Sequence, residues 1–142
     1  MAINTASAAI SFGKELEQEG AKFYEDLSQK YPQYKDTFMS MVRENQKYAV
    51  MVQEAYFSVI SDAIEGCFAF DINPEDFEFK TRLSETTDNS EVLSKAIEIE
   101  EIMVKFYTET TEQSKSLLGD MSRVFGLIVR KRNARITILK SM

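Results

Sequence analysis

Arg132 and Arg135 lie three residues apart near the end of the chain, on the apolar stripe of a helix-periodic segment. Glu17 and Glu100 interrupt the apolar stripes of two other segments in the same way, and Asn45 and Tyr48 interrupt a fourth. A guanidinium on a buried stripe costs several kcal/mol unless an opposite charge meets it. Arginine answers that need well, because its planar fork meets a carboxylate through two parallel hydrogen bonds. The residue types therefore point first to a structural network in which Arg132 and Arg135 pair with Glu17 and Glu100, beside Asn45 and Tyr48. Two other chemistries could use the same side chains. The arginines could line a pocket for a small anion, or Glu17, Glu100 and further carboxylates such as Glu44 could hold a metal. Tyr24 and Tyr107 each follow one of the glutamates by seven residues, two turns along one helical face. Without a metal to serve as redox partner, their expected role, like that of Tyr48, is a packed ring whose hydroxyl bonds a glutamate.

Four helices must bring these positions to one depth. The first is expected over about residues 5–30, with the inner stripe Ile10, Gly13, Glu17, Gly20, Tyr24, Leu27. Its steps alternate three and four, the seam of a left-handed bundle. Gly13 and Gly20 flank Glu17 and weaken the helix by about 1 kcal/mol each relative to alanine, which close approach of a neighbour would explain. Tyr31-Pro32 breaks the pattern. A second helix follows over about 33–61, with the stripe Phe38, Met41, Asn45, Tyr48, Val52, Ala55, Val59. Residues 62–87 hold Gly66, Pro74 and clustered turn formers between short apolar pieces, as expected of a long crossover with one irregular helical turn. Cys67 falls there and reads as an inert thiol.

The third helix is expected over about 88–118, with Asp88 and Glu91 at capping-box spacing and the stripe Leu93, Ala96, Glu100, Met103, Tyr107, Thr110, Ser114, Leu117. Gly119 reads as its stop and Asp120 as the cap of a fourth helix over about 120–140. That helix carries Met121, Phe125, Ile128, Arg132, Arg135, Leu139 inward, with Arg130 and Lys131 solvated. The first and third helices repeat each other: Leu16-Glu17-Gln18 and Lys22-Phe23-Tyr24 match Ile99-Glu100-Glu101 and Lys105-Phe106-Tyr107. The second and fourth correspond through Phe38, Met41, Val42, Asn45, Tyr48 and Phe125, Ile128, Val129, Arg132, Arg135. The expected fold is thus all-α: a single domain over residues 1–142, a four-helix bundle of two helical hairpins joined by a long crossover.

With these residues in place, the chain resembles the rubrerythrin-like branch of the ferritin-like superfamily, most recognisably through Glu15-Leu16-Glu17-Gln18-Glu19-Gly20-Ala21-Lys22-Phe23-Tyr24, Phe38 and the crossover. The resemblance covers nearly the whole chain. It implies a ferritin-like bundle with one glutamate from each of helices one and three, and Glu-x-x-His from each of helices two and four, around a di-iron centre. It also implies oxidation of ferrous iron or reduction of peroxide. Glu17 and Glu100 match the single glutamates. The Glu-x-x-His positions fall on Asn45 and Tyr48 and on Arg132 and Arg135. Shifting helix two to place Glu44 and Lys47 there would take Phe38, Met41 and Val52 off the shared stripe. Arginine has no acceptor and cannot be a ligand. Four carboxylates with two ferrous ions sum to zero charge, and so do two carboxylates with two arginines. The resemblance thus leads to a rubrerythrin-like protein with a degenerate di-iron site, no cofactor, and a structural or interaction role. Iron-binding oxidoreductase chemistry with an unusual ligand set, and small-anion binding through Arg132 and Arg135, are the alternatives. Relatives in this family often dimerise through helix faces, so a homodimer is expected.

Composition narrows the rest. There is no histidine, which removes the commonest general base and transition-metal ligand, and one cysteine, which removes disulfides and thiolate metal clusters. No Cys-x-x-Cys pair of rubredoxin type is present. A net charge of −6 argues against nucleic-acid binding through a general basic field. No apolar run reaches the ~20 residues of a membrane span, and Met1-Ala2-Ile3-Asn4-Thr5 lacks the form of a signal peptide, so a cytoplasmic protein without membrane partners is expected.

Overall fold

Helix ends are where the sequence speaks most locally. In the computed structural model, which describes residues 3–59, 70–79, 88–114 and 119–142, α1 spans Ala6–Lys30. Thr5 is its N-cap, its hydroxyl accepting from the Ala8 N–H at 3.2 Å. Tyr31 ends the helix outside the α region, at φ −124° and ψ 79°, since the proline that follows disfavours helical backbone there. Pro32–Tyr34 then form a single 3-10 turn, and α2 spans Lys35–Val59. The second helix therefore begins two residues later than the periodicity suggests, because the proline opens a tighter turn first. Asp88 caps α3, Asn89–Ser114, by accepting from the Glu91 N–H at 2.8 Å. The fourth helix, α4, spans Gly119–Ser141. Gly119 and Asp120 lie inside its first turn, so Asp120 is not the cap.

The helices are amphipathic, and among the described residues their inward stripes meet as a four-helix, all-α arrangement. Ile10, Gly13, Glu17, Gly20, Tyr24 and Leu27 of α1 are all buried. So are Phe38, Met41, Asn45, Tyr48, Val52 and Ala55 of α2, and Phe125, Ile128, Arg132, Arg135 and Leu139 of α4. On α3 the stripe from Ala96 to Thr110 is buried, but at its start Val92 takes the core position and Leu93 is only half-buried. Cys67, Leu117 and the side chains of Val59, Ser114 and Met121 lie outside what is described. Among the described residues no helix is long and apolar enough to cross a membrane.

Side-chain pairings fix the helix directions. Lys14 bonds Gln53 while Asn45 reaches Glu17, so α1 and α2 are antiparallel. Tyr107 stacks edge-on against Phe125 while Arg132 and Arg135 reach Glu100, so α3 and α4 are antiparallel too. Tyr24 bonds Glu100 while Tyr107 bonds Glu17, so α1 and α3 also run in opposite directions. It follows that α2 and α3 point the same way, which requires a connection the length of the bundle.

The described part of that connection is a wedge between α1 and α3. Asn73 caps a 3-10 turn over Pro74–Phe77, and Phe77 is fully buried. Its ring meets Phe12 of α1 at 6.5 Å and Phe106 of α3 at 5.5 Å, both edge-to-face. The chain start holds the same segment. Ile3 and Ile72 exchange backbone hydrogen bonds of 2.6 and 2.9 Å in an isolated antiparallel bridge.

Candidate functional site

Burial makes a charge choose its partners, and the middle of this bundle holds four. Glu17, Glu100, Arg132 and Arg135 are each 0–3% exposed, beside Asn45 and Tyr48 at 1%. Each helix contributes, because each stripe is interrupted at the same depth.

Arg132 is the centre. Its Nη2 donates to both oxygens of Glu17 at 2.5 Å, and its Nη1 donates to Glu100 Oε1 at 2.7 Å. The second oxygen of Glu100 accepts from the Tyr24 hydroxyl at 2.8 Å and from Arg135 Nη1 at 3.3 Å. The Tyr107 hydroxyl donates to Glu17 Oε1 at 2.8 Å. The two tyrosines thus bond crosswise, each to the glutamate of the other's helix. Asn45 joins the hairpins: its Oδ1 accepts from Arg135 Nη1 at 2.6 Å, and its Nδ2 donates to the Glu17 carbonyl at 3.4 Å. Both guanidiniums also lie over the Tyr48 ring, Arg132 at 5.1 Å and Arg135 at 5.6 Å from its centre.

The pairing is less even than the internal repeat suggests. Arg132 takes both glutamates, while Arg135 shares Glu100 and turns outward. It reaches the Met41 carbonyl and Glu44 Oε1, both at 3.5 Å. Glu44, with a side chain 45% exposed, is the member that sequence reasoning left out of this network. It lies one residue before Asn45, at the edge of the stripe, and also accepts from Tyr48 at 3.3 Å. Its i,i+4 spacing to Tyr48 is the signal that could have found it. Lys47 is exposed. Arg135 borders a cleft of about 540 Å³ that also holds Asp36 and Glu44. Nε of Arg132 and of Arg135 finds no acceptor among the described residues.

The electrostatics follow from burial and proximity. Burial pushes the Glu17 carboxyl up, and Arg132 and the Tyr107 hydroxyl pull it back only in part. Burial would lower Arg132, but Glu100 and Glu17 outweigh it and hold the guanidinium firmly charged. Arg135 is likewise held up, against burial, chiefly by Glu100. Burial and the adjacent carboxylates raise Tyr24 and Tyr107 well above the ordinary phenol, and burial raises Tyr48 to about 12. The two buried carboxylates and the two guanidiniums balance, so the buried layer is neutral, with Glu44 at its exposed edge.

This donor set does not fit a pair of metal ions. The carboxylates of Glu17 and Glu100 are engaged by a permanent cation, and Arg132 and Arg135 offer only N–H groups toward them. Among the described residues no group of three or more aspartate, glutamate, cysteine or histidine side chains is placed to hold a metal. What the arrangement can do chemically is hold four helices in one register. No family model, curated protein or solved structure matches this chain.

Proposed function

We propose that the chain is a rubrerythrin-like, ferritin-like bundle in which a di-iron centre has been replaced by an arginine-glutamate core, and that it acts by interaction or assembly rather than by catalysis. The observation that carries this is Arg132, whose guanidinium bridges Glu17 and Glu100, the two carboxylates that such a centre would need. Three features support it. The helix directions deduced above, with α2 and α3 parallel, are those of a ferritin-like connection. The crosswise bonds of Tyr24 and Tyr107 repeat one another about a pseudo-twofold. The layer is neutral, so the arginines restore the charge that two ferrous ions would have supplied. Oxidoreductase chemistry has no support in these ligands, and cofactor dependence is not expected. A second copy of the chain is the partner we favour.

The test is metal content. The untagged protein, expressed in iron-supplemented medium, is expected to carry near-zero iron, manganese and zinc per chain by elemental mass spectrometry. Its melting temperature is expected to ignore added ferrous ion. About two metals per chain would overturn the proposal.

A further inference from the structure

A groove of about 1050 Å³ opens between α1, α3 and the Pro74–Phe77 turn. Its apolar lining is Phe12, Leu16, Phe77, Phe79 and Ile99. Six glutamates, Glu15, Glu19, Glu75, Glu78, Glu91 and Glu98, and one lysine, Lys95, border it, so its rim is strongly acidic. None of the six makes an ion pair among the described residues. Their crowding is felt at Glu19, whose carboxyl is raised by partial burial and then by Glu15 and Glu78.

The outer side of α4 has the opposite character. Arg123, Arg130 and Lys131 are exposed there, and they too make no ion pair among the described residues. Arg123 and Arg130 are two turns apart, about 10.5 Å along one face. Half-buried Leu127, exposed Ala134 and Ile138, 49% exposed, lie between and beyond them. This helix is therefore apolar and basic on the face it turns away from the core. That face belongs to the α2–α4 side of the bundle, opposite the α1–α3 groove. Two grooves face to face would repel, so a twofold contact through the groove is disfavoured. Groove and α4 are complementary in sign and in apolar content.

We infer that the groove is a docking site for the outer face of α4 of a second copy, joined head to tail. Leu127 and Ile138 of one copy meet the phenylalanines of the next, and Arg123 and Arg130 meet its glutamates. The contact is heterologous, so it propagates into a ring or an open chain rather than closing as a pair. It names the surface for the assembly role proposed above and rests on that role, while being independent of the fate of the metal site.

The test is sedimentation velocity of the full chain over a concentration series, in about 0.05 M and about 0.5 M NaCl. Self-association is expected, weakening about tenfold as the screening length shortens. Glu19→Lys with Glu78→Lys, and separately Arg123→Glu with Arg130→Glu, are each expected to give monomers with unchanged far-UV circular dichroism. Mixing the two variants is expected to restore association, because each reversed surface then finds its opposite. A monomer at every concentration overturns the inference. So does a dimer that ignores both variants, or a mixture that stays monomeric. A monomer that instead binds an added amphipathic lysine-leucine helix also overturns it, in favour of a foreign basic partner. The metal measurement separates the two readings: a metal-free monomer sinks this contact and the second copy as partner but leaves the arginine core standing, and a metal-loaded assembly sinks the arginine core alone.

Discussion

A single guanidinium with two carboxylates at hydrogen-bond distance is the feature whose removal says most. Arg132 is fully buried, so loss of Glu17 leaves half its charge uncompensated where water cannot reach. Glu17→Ala is expected to lower the unfolding free energy by about 3–5 kcal/mol in urea titrations. Glu44→Ala removes a longer, half-exposed pair to Arg135 and is expected to cost less than about 1 kcal/mol. Equal effects would mean that burial does not govern this network. The tyrosines make a second residue-scale prediction, through pH. Tyr24 and Tyr107 are raised well above the ordinary phenol, and Tyr48 to about 12. An unfolded tyrosine releases its proton near pH 10, roughly, before the folded ones do. Their contribution is therefore complete below that pH and is lost as pH rises toward the folded values. In an alkaline titration, tyrosinate absorbance from Tyr24 and Tyr107 should appear only together with loss of helical circular dichroism. The double variant Tyr24→Phe, Tyr107→Phe removes that late component; if it persists, the assignment fails.

At the scale of the helices, glycine positions report how closely neighbours approach. A Cβ at Gly20 would stand 2.8 Å from Asn45 Nδ2, and one at Gly13 would stand 3.1 Å from Cε2 of Phe106. Asn45 cannot swing away freely, because it holds Arg135 at 2.6 Å. Gly126 has nothing within 4 Å of an added Cβ. Gly126→Ala should therefore stabilise the protein by about 0.5–1 kcal/mol through helix propensity. Gly20→Ala, with the same propensity gain, should destabilise it by about 1–3 kcal/mol. Thermal melts of the two variants moving in the same direction would contradict this. The sequence shows both glycines on the stripe flanking Glu17, and their burial follows from helical period alone. What it does not show is that side chains of two different helices, Asn45 from α2 and Phe106 from α3, occupy the space. The same limit applies to the charges. Periodicity puts Glu17, Glu100, Arg132 and Arg135 on inward stripes, but which fork meets which carboxylate depends on axial offsets between helices. No single-helix period encodes those offsets, so the unequal roles of Arg132 and Arg135, and the entry of Glu44 from the edge, emerge only in three dimensions.

For the molecule as a whole, the crossover matters because α2 and α3 depend on it to reach parallel directions, and residues 70–79 are its described part. It is tied down by non-local bonds that hydropathy does not reveal. Ile3 and Ile72 exchange two backbone bonds, Phe70 N–H donates to the Asn4 carbonyl at 3.3 Å, and Gln113 of α3 clamps Asp71 through both its amide groups at 2.7 and 3.2 Å. Phe70, Ile72 and Phe77 are buried beneath these ties. Ile3→Pro removes the N–H that donates to Ile72 and should leave Ile72 without one strap. The expected loss is about 0.5–1.5 kcal/mol of global stability. Local opening should rise much more, since the chain start would then hold residues 70–79 only through the Ile3 and Asn4 carbonyls, beside the Gln113 clamp and the Phe77 wedge. Native-state hydrogen exchange reads this directly: amides of that segment should exchange at least about tenfold faster in the variant, while those around Arg132 keep their protection. Unchanged exchange at 70–79 would mean that the Ile3 N–H bond is dispensable and that the remaining ties hold the segment. Faster exchange throughout would mean that the strap, rather than the charged layer, limits the opening of the whole bundle.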